Sequence, residues 1–364
     1  MTELAEKYTR LHPKFKLNGA SFTIASLKEQ AHTFIKEGEP YEESVGEFII
    51  EWLDAKKYVT VHTSGSTGTP KPIKINKEHM INSAKATAKH FDVFEKTTAL
   101  LCLPAHYIAG KMMLVRAMTL GWRIDMAQPK SNPLDAVYRT YDFCAMTPFQ
   151  LDNSLSRLHL LSKLIVGGGA ISPALSLRLQ GLKTKVYETY GMTETVTHIA
   201  ARRVNPKKNK EGIIPFKVLD KVTVEIDNRD CLVIKAPKVS TDPVITNDLV
   251  ELITYKKFIW LGRIDNVINS GGVKLFPEQI EAKLAPFIHV PYFVAGVPHE
   301  LLGERLTLFV EQEEPLFIKE HITDISAFGS FELPKLAVSL TSFQRTATGK
   351  IQRGQTLKEY LNNL

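Results

Sequence analysis

The sequence predicts an α/β protein: a large N-terminal domain on a mostly parallel sheet, a short β-rich subdomain, then a small α+β domain. Three textures predict this. Residues 58–190 alternate short β-rich runs with stretches of helical length, the pattern of βαβ units. Strands are expected at Tyr58–His62, Ala99–Leu103, Arg123–Ala127, Phe143–Met146, Leu164–Val166 and Lys185–Glu188. Helices are expected at Lys77–Phe91, Lys111–Leu120, Pro148–Leu158 and Pro173–Leu182. From about 215 to 260, Lys217–Asp227, Cys231–Lys235, Leu249–Thr254 and Phe258–Leu261 read as antiparallel strands joined by Asn-Arg-Asp and Lys-Lys turns. After 265 a helix is expected at Pro277–Leu284, with strands at Tyr292–Val297 and Arg305–Glu311. That last unit is long enough to fold as its own domain.

The 364 residues, 44% hydrophobic and 23% charged, have the proportions of a soluble globular protein with two domains. The cysteines Cys102, Cys144 and Cys231 are scattered and form no CxxC pair, which speaks against a disulfide framework or a zinc site. The N-terminal residues have no apolar core of a signal peptide, and no run has the length of a membrane span, so the expected location is cytoplasmic. Net charge is +7, but the lysines are dispersed. The densest run, Lys207-Lys208-Asn209-Lys210, lacks interleaved aromatics and reads as a solvated loop, not a nucleic-acid site.

Six segments carry unusual polar chemistry. Thr63-Ser64-Gly65-Ser66-Thr67-Gly68-Thr69-Pro70-Lys71 follows the apolar run Tyr58–Val61. Glycines let backbone N–H groups converge on an anion, while hydroxyls and an ammonium add donors, so the loop is built like a polyphosphate clamp. Its spacing is not that of a P-loop, because the required second glycine falls on Pro70. An ordinary Ser/Gly turn is the alternative. Gly167-Gly168-Gly169-Ala170 either admits a flat ligand close to the backbone or is a plain strand–helix turn. In Tyr190-Gly191-Met192-Thr193-Glu194, the Thr–Glu pair can bind a phosphate oxygen and Mg²⁺, or cap a helix. Asp248, in Thr246-Asn247-Asp248, can hold ribose hydroxyls or form a turn. Gly262-Arg263-Ile264-Asp265-Asn266 and Ser270-Gly271-Gly272 bracket the last change of texture, as a functional hinge or an inert linker would. Thr346-Ala347-Thr348-Gly349-Lys350 places a lysine on a flexible loop.

In this order the segments resemble those of the adenylate-forming superfamily, which includes acyl- and aryl-CoA synthetases, beetle luciferases and peptide-synthetase adenylation domains. The resemblance spans roughly residues 58–355. TND stands where TGD is usual, and GRIDN where GRxDD is usual. The resemblance implies ATP and CoA as co-substrates and Mg²⁺ as cofactor. A carboxylate is joined to AMP with release of pyrophosphate, and a thiol then displaces AMP. It implies that Thr63, Ser64, Gly65, Ser66, Thr67, Gly68 and Lys71 hold ATP phosphates. Thr193 contacts phosphate and Glu194 holds Mg²⁺. Gly168, Gly169 and Ala170 line the adenine or acyl pocket beside Tyr190 and Gly191, and Asp248 and Arg263 hold the ribose. Lys350 bridges carboxylate and α-phosphate. The implied domains are 1–262 and 267–364, joined by a hinge at 263–266 centred on Asp265. Rotation there brings Ser270, Gly271 and Gly272 over the site for the thiol step.

The run Cys102–Arg116 looks most like the o-succinylbenzoate–CoA ligases of menaquinone biosynthesis. Another aryl- or fatty-acyl-CoA ligase, a carrier-loading enzyme and a non-catalytic nucleotide-binding remnant are the alternatives. Candidate acyl-substrate residues are His106, Tyr107, Lys111, Arg116, Gly167 and Lys274; the last carboxylate of a dicarboxylic acid needs a cation or good donors when buried. The phosphate loop begins early in the chain, so an N-terminal subdomain truncated relative to the family is expected, with a homodimer covering the exposed surface.

Overall fold

The computed structural model describes residues 11–62, 72–206, 214–345 and 351–363. In chain order the strands are β1 (Lys16–Leu17), β2 (Ala20–Ser21), β3 (Tyr58–His62), β4 (Pro72–Asn76), β5 (Thr98–Leu101), β6 (Arg123–Met126), β7 (Tyr141–Met146), β8 (Leu161–Val166), β9 (Lys185–Gly191), β10 (His198–Arg203), β11 (Phe216–Val218), β12 (Thr223–Ile226), β13 (Cys231–Lys235), β14 (Val244–Thr254) and β15 (Lys257–Arg263). The helices among them are α1 (Ile24–Glu37), α2 (Pro40–Trp52), α3 (Lys77–Phe91), α4 (Ile108–Leu120), α5 (Pro148–Asn153) and α6 (Pro173–Arg178).

All of these strands except β3 and β4 form one 13-stranded sheet, in the order β12-β13-β14-β15-β11-β10-β9-β8-β7-β5-β6-β1-β2. Pairing is parallel from β1 through β6, β5, β7 and β8 to β9. From β9 onward it is antiparallel. The β-rich segment therefore extends the parallel sheet. The expected strand at Lys217–Asp227 is two strands, β11 and β12, broken at Lys221, whose φ is +59°.

One expectation fails. Tyr58–His62 does not belong to the parallel sheet; among the described residues β3 pairs only with β4, antiparallel, with Tyr58 opposite Asn76 and His62 opposite Pro72. The strand that precedes residue 63 is thus half of an antiparallel pair and not a strand of the parallel sheet. A short β-branched run looks the same in either setting, because its partner is not encoded locally.

The parallel strands are apolar on both faces, as burial under two helical layers requires. Ala99, Leu101, Phe143 and Ala145 face a core shared with Leu27, Phe48, Trp52, Met80 and Met113 of α1–α4. The alternate residues Leu100, Cys102, Cys144 and Met146 face Leu151 and Leu175 of α5 and α6. Cys102 and Cys144, distant in sequence, have sulfurs 3.6 Å apart in that second core; all three cysteines are free and buried. Helix α3 begins at Asn76, whose side chain accepts from Glu78 N–H at 2.8 Å. It ends where Lys163 donates to the Phe91 and Asp92 carbonyls.

The C-terminal part has its own sheet, of β16 (Ile268–Ser270), β17 (Val273–Leu275), β18 (Tyr292–His299), β19 (Gly303–Glu311) and β20 (Leu336–Leu340). Helices α7 (Pro277–Leu284), α8 (Ile318–His321) and α9 (Arg353–Asn362) accompany it. Ile268, Ile280, Leu284, Val294 and Leu308 form a separate core there. Among the described residues no helix is long and apolar enough to cross a membrane.

Helix α4 is buried from Gly110 to Met118, a mostly apolar stretch that takes Lys111 and Arg116 inside with it. Gly110 allows that docking: a Cβ there would lie 2.2 Å from the Pro104 carbonyl oxygen. Gly110→Ala should destabilise the fold by about 1–3 kcal/mol, the usual effect of overpacking against backbone. Chemical denaturation measures this, and an unchanged midpoint would refute the packing account.

Candidate active site

The site is assembled at the carboxyl ends of β8 and β9. These strands are parallel, with Val166 opposite Glu188, so the segments that follow them emerge side by side. Thr189 Oγ1 donates to the Val166 carbonyl at 2.9 Å, and Ile171 N–H donates to Glu188 Oε1 at 3.1 Å. Glu188 also accepts from Arg202 Nε at 2.7 Å, and the Arg202 guanidinium lies over the Phe216 ring. Glu188 thereby ties the glycine segment to the antiparallel half of the sheet.

Gly168 has φ of +82°, the left-handed region that glycine adopts freely. A Cβ at Gly168 would meet nothing within 4 Å, and one at Gly169 only Pro148 Cγ at 3.7 Å. Gly168, Gly169 and Ala170 are exposed, so this is an open ledge. Gly167 is different. A Cβ there would lie 2.7 Å from Thr189 Oγ1, so the residue serves the junction of the two strands.

After β9 the chain turns sharply. A Cβ at Gly191 would lie 2.4 Å from the Thr197 carbonyl oxygen. Thr193–Thr195 form a 3₁₀ turn with Glu194 exposed. Val196 follows with φ of +67°, an unfavourable conformation for a β-branched residue and a form of strain that concentrates at functional sites.

Asp248 and Arg263 meet as the sequence suggests, for they are cross-strand partners on β14 and β15. Arg263 Nε is 3.9 Å from Asp248 Oδ1. Tyr190 donates its hydroxyl to Asp248 Oδ2 at 2.6 Å, and Trp260 Nε1 donates to Oδ1 at 3.2 Å. Burial, then the Asp248 charge, push the Tyr190 phenol pKa up, so it stays a donor. Asp248 is thus fixed against Tyr190 at the end of β9, with acceptor capacity left for a ligand hydroxyl.

Asp265 accepts from Arg263 Nη2 at 2.9 Å and from Asn247 Nδ2 at 3.2 Å. The bond from Arg263 is the main reason its carboxyl is held below the ordinary value. Ser270–Gly272 form a turn whose Gly271 N–H donates to the Leu302 carbonyl at 2.8 Å, and Lys274 is exposed on β17.

Thr63, Ser64, Gly65, Ser66, Thr67, Gly68, Lys71 and Lys350 lie outside the described residues, as do Lys207, Lys208 and Lys210. The base of the β3–β4 hairpin is nevertheless well defined. Lys77 is fully buried and donates to the Asp54 carboxylate at 2.8 Å and to its carbonyl at 3.0 Å. Glu51 accepts from Thr60 N–H at 2.8 Å.

The acyl candidates separate into distinct environments. His106 and Tyr107 are exposed before α4. Lys111 is engaged: its ammonium lies 3.6 Å from Glu51 and over the Phe48 ring. Arg116 is only 1% exposed, and among the described residues no carboxylate pairs with it. Its Nη2 reaches Thr197 Oγ1 at 3.5 Å, its Nη1 reaches Met113 Sδ at 3.7 Å, and its Nε has no partner. Burial pushes its pKa down to about 9. Glu188, Trp260, Thr197 and His198 were not singled out from the sequence. Glu188 ends the expected strand Lys185–Glu188; the others carry no local signal, because strand pairing and core packing bring them in.

The sequence matches the AMP-binding enzyme family over residues 22–232. The chain belongs to that family. Among AMP-binding relatives, it is 25% identical over 330 residues to a 2-succinylbenzoate–CoA ligase of Staphylococcus epidermidis, covering 82% of this chain and 69% of that one. It is 35% identical to an acyl-CoA synthetase (AMP-forming)/AMP-acid ligase II-like protein of Dyadobacter fermentans, with a TM-score of 0.60 and coverage of 91% and 98%. The fold is shared with an o-succinylbenzoate CoA synthetase of Bacillus subtilis solved with its acyl-adenylate intermediate, at TM-score 0.79, 16% identity and 98% coverage of both chains.

His198 bears on the pH response of this AMP-binding enzyme. Burial, then the charges of Arg116 and His90, hold its imidazole well below 6.5. The folded chain keeps this ring neutral while the unfolded chain protonates it. Stability from this residue is therefore full above about pH 6.5 and falls below it, by about 1.4 kcal/mol per pH unit. Denaturant titrations at pH 7.5 and 5.5 check this; His198→Gln should flatten the dependence by that amount.

Proposed function

We propose that this AMP-binding enzyme is an AMP-forming acid–CoA ligase acting on an aromatic dicarboxylic acid, with o-succinylbenzoate as the substrate. Arg116 is the observation that carries the choice of acid. A guanidinium buried without a counter-charge is destabilising by several kcal/mol, and a substrate carboxylate would offset that. A fatty acid or a simple benzoate would leave Arg116 unpaired. Lys111 is already matched by Glu51, and Lys274 is exposed on the C-terminal sheet. The similarity to 2-succinylbenzoate–CoA ligases supports the same acid.

Asp248 and Arg263 are assigned to the ribose hydroxyls and the ledge Gly168–Ala170 to adenine, with Tyr190 and Gly191 forming its edge. Thr193 is assigned to phosphate. Among the described residues no cluster of three or more His, Cys, Asp or Glu could hold a metal. The exposed Glu194 fits Mg²⁺, an ion commonly held by one or two carboxylates plus substrate phosphates. The bound ion would neutralise phosphate charge as pyrophosphate leaves.

In the first step a carboxylate oxygen attacks the α-phosphorus of ATP and the bond to pyrophosphate breaks. Lys350 is assigned to the charge that builds between the two groups, and the Thr63–Lys71 segment to the departing phosphates. In the second step the CoA sulfur attacks the acyl carbon, the thiol proton is lost and AMP leaves. Residues 263–266 serve as the hinge between the steps, with Asp265 at its centre and Ser270–Gly272 presented for the second. A homodimer in the cytoplasm belongs to the same reading. The exposed Phe149 and Leu177, on helices tied by the Arg178–Asp152 bond, support it, and light scattering showing a monomer at micromolar concentration would remove it.

Pyrophosphate release should be seen with o-succinylbenzoate and not with benzoates or fatty acids, and thioester should form only when CoA is added. Arg116→Gln should lower kcat/KM for the dicarboxylic acid by about 10²-fold, the loss of a charged hydrogen-bond pair. Equal losses for mono- and dicarboxylic acids would reject the assignment. Lys350→Ala should suppress adenylation by about 10²–10³-fold while CoA still attacks a supplied acyl-adenylate. Parallel collapse of both half-reactions in a folded variant would contradict the two-step division of labour.

A further inference from the structure

Two positions depart from the resembling family's usual motifs, Asn247 in TND and Asn266 in GRIDN, and both side chains are used at the hinge. Asn247, on β14 of the large domain, donates through Nδ2 to both oxygens of Asp265, at 3.3 and 3.2 Å. Its own carbonyl accepts from Arg229 Nη1 at 3.1 Å, which fixes its orientation. Asn266, at the far end of the hinge, donates through Nδ2 to Glu278 Oε1 at 2.5 Å. Glu278 belongs to α7 of the small domain.

Glu278 also reaches back across the hinge. Its Oε2 is buried without a hydrogen-bond partner, and a Cβ at Gly262 would lie 2.4 Å from it. Gly262 pairs with Leu249, the residue after Asp248, so this contact lies next to the Asp248–Arg263 pair. On its other side Glu278 lies 3.6 Å from Arg353 Nη1. Arg353 opens α9, three residues after Lys350, and is held by Glu281 at 2.6 Å. The ordinary Asp at 266 would set two carboxylates against each other at hydrogen-bond distance, and both could not stay ionised. The amide removes that conflict and makes a bond.

We propose that Asn247–Asp265 and Asn266–Glu278 form an amide–carboxylate clamp across the hinge. The clamp holds the small domain in one orientation and so sets the balance between the two half-reactions. Asn247, Asn266 and Glu278 are positioning residues, and the inference rests on the adenylation reading above. The donorless Glu278 oxygen opposes the clamp, since rotation would lift it from Gly262 into water. The held state is therefore releasable.

The test is the double variant Asn247→Gly/Asn266→Asp, which restores the residues usual in the family and keeps every core contact. Amide hydrogen exchange across residues 262–267 should quicken by at least about fivefold, a modest change in an opening equilibrium. The ratio of pyrophosphate-exchange rate to thioester-formation rate should shift by a similar factor. Unchanged exchange, or a ratio within about twofold of the parent in the folded variant, overturns the proposal. Glu278→Ala should reproduce the faster exchange. If the parent releases no pyrophosphate with any acid tried, it is the functional reading that fails, and the exchange comparison alone then decides the clamp.

Discussion

Parallel pairing of β8 with β9 sets the geometry on which the site depends. Because Val166 lies opposite Glu188, the glycine segment and the Thr193–Glu194 turn leave the sheet at one level. The two strands are held in that register by burial on both faces. β10 then returns antiparallel beside β9, which places Thr197 and His198 against Gly191 and brings Arg116 behind the turn. The antiparallel run out to β14 and β15 delivers Asp248 to Tyr190. A slip of one residue between β8 and β9 would turn Glu188 from the Ile171 amide and separate these groups.

Among the described residues, buried charges divide into those already matched and one that is not. Lys77 has Asp54, Lys111 has Glu51, and Glu188 has Arg202. Each of these pairs joins segments distant in sequence, and Glu51 also holds Thr60 in the hairpin that leads to residues 63–71. Among the described residues, Arg116 has weak contacts to a hydroxyl and a thioether and no carboxylate. That imbalance is what the proposed substrate carboxylate would meet.

The segment around residues 262–266 follows the same logic at the surface of the fold. Gly262, with φ of +149°, leaves room for Glu278, while Asn247 and Asn266 supply donors to the neighbouring carboxylates. Glu281 anchors Arg353 and hence the start of the last helix. Its burial raises its carboxyl to about 7 although Arg353 opposes the shift, so desolvation outweighs the ion pair. The Asp248–Arg263 pair, residues 262–266 and the C-terminal helix are thus joined through Glu278 and Arg353.

The order of elements was legible in the sequence. Lys77–Phe91, Cys231–Lys235 and Pro277–Leu284 fall where local pattern and end signals put them, because those signals act within a few residues. The segments that identify the family were legible too, since a loop built for phosphate needs its residue types in sequence. The partner of Tyr58–His62, the junction role of Gly167, the contact of Cys102 with Cys144 and the isolation of Arg116 were not legible. Each depends on which distant strand or helix arrives alongside, and that is fixed by burial over the whole chain. The sequence by itself determined the chemistry available and the order in which it appears. Only the tertiary structure decided which charges are already matched, because a counter-charge can come from any element packed against the group.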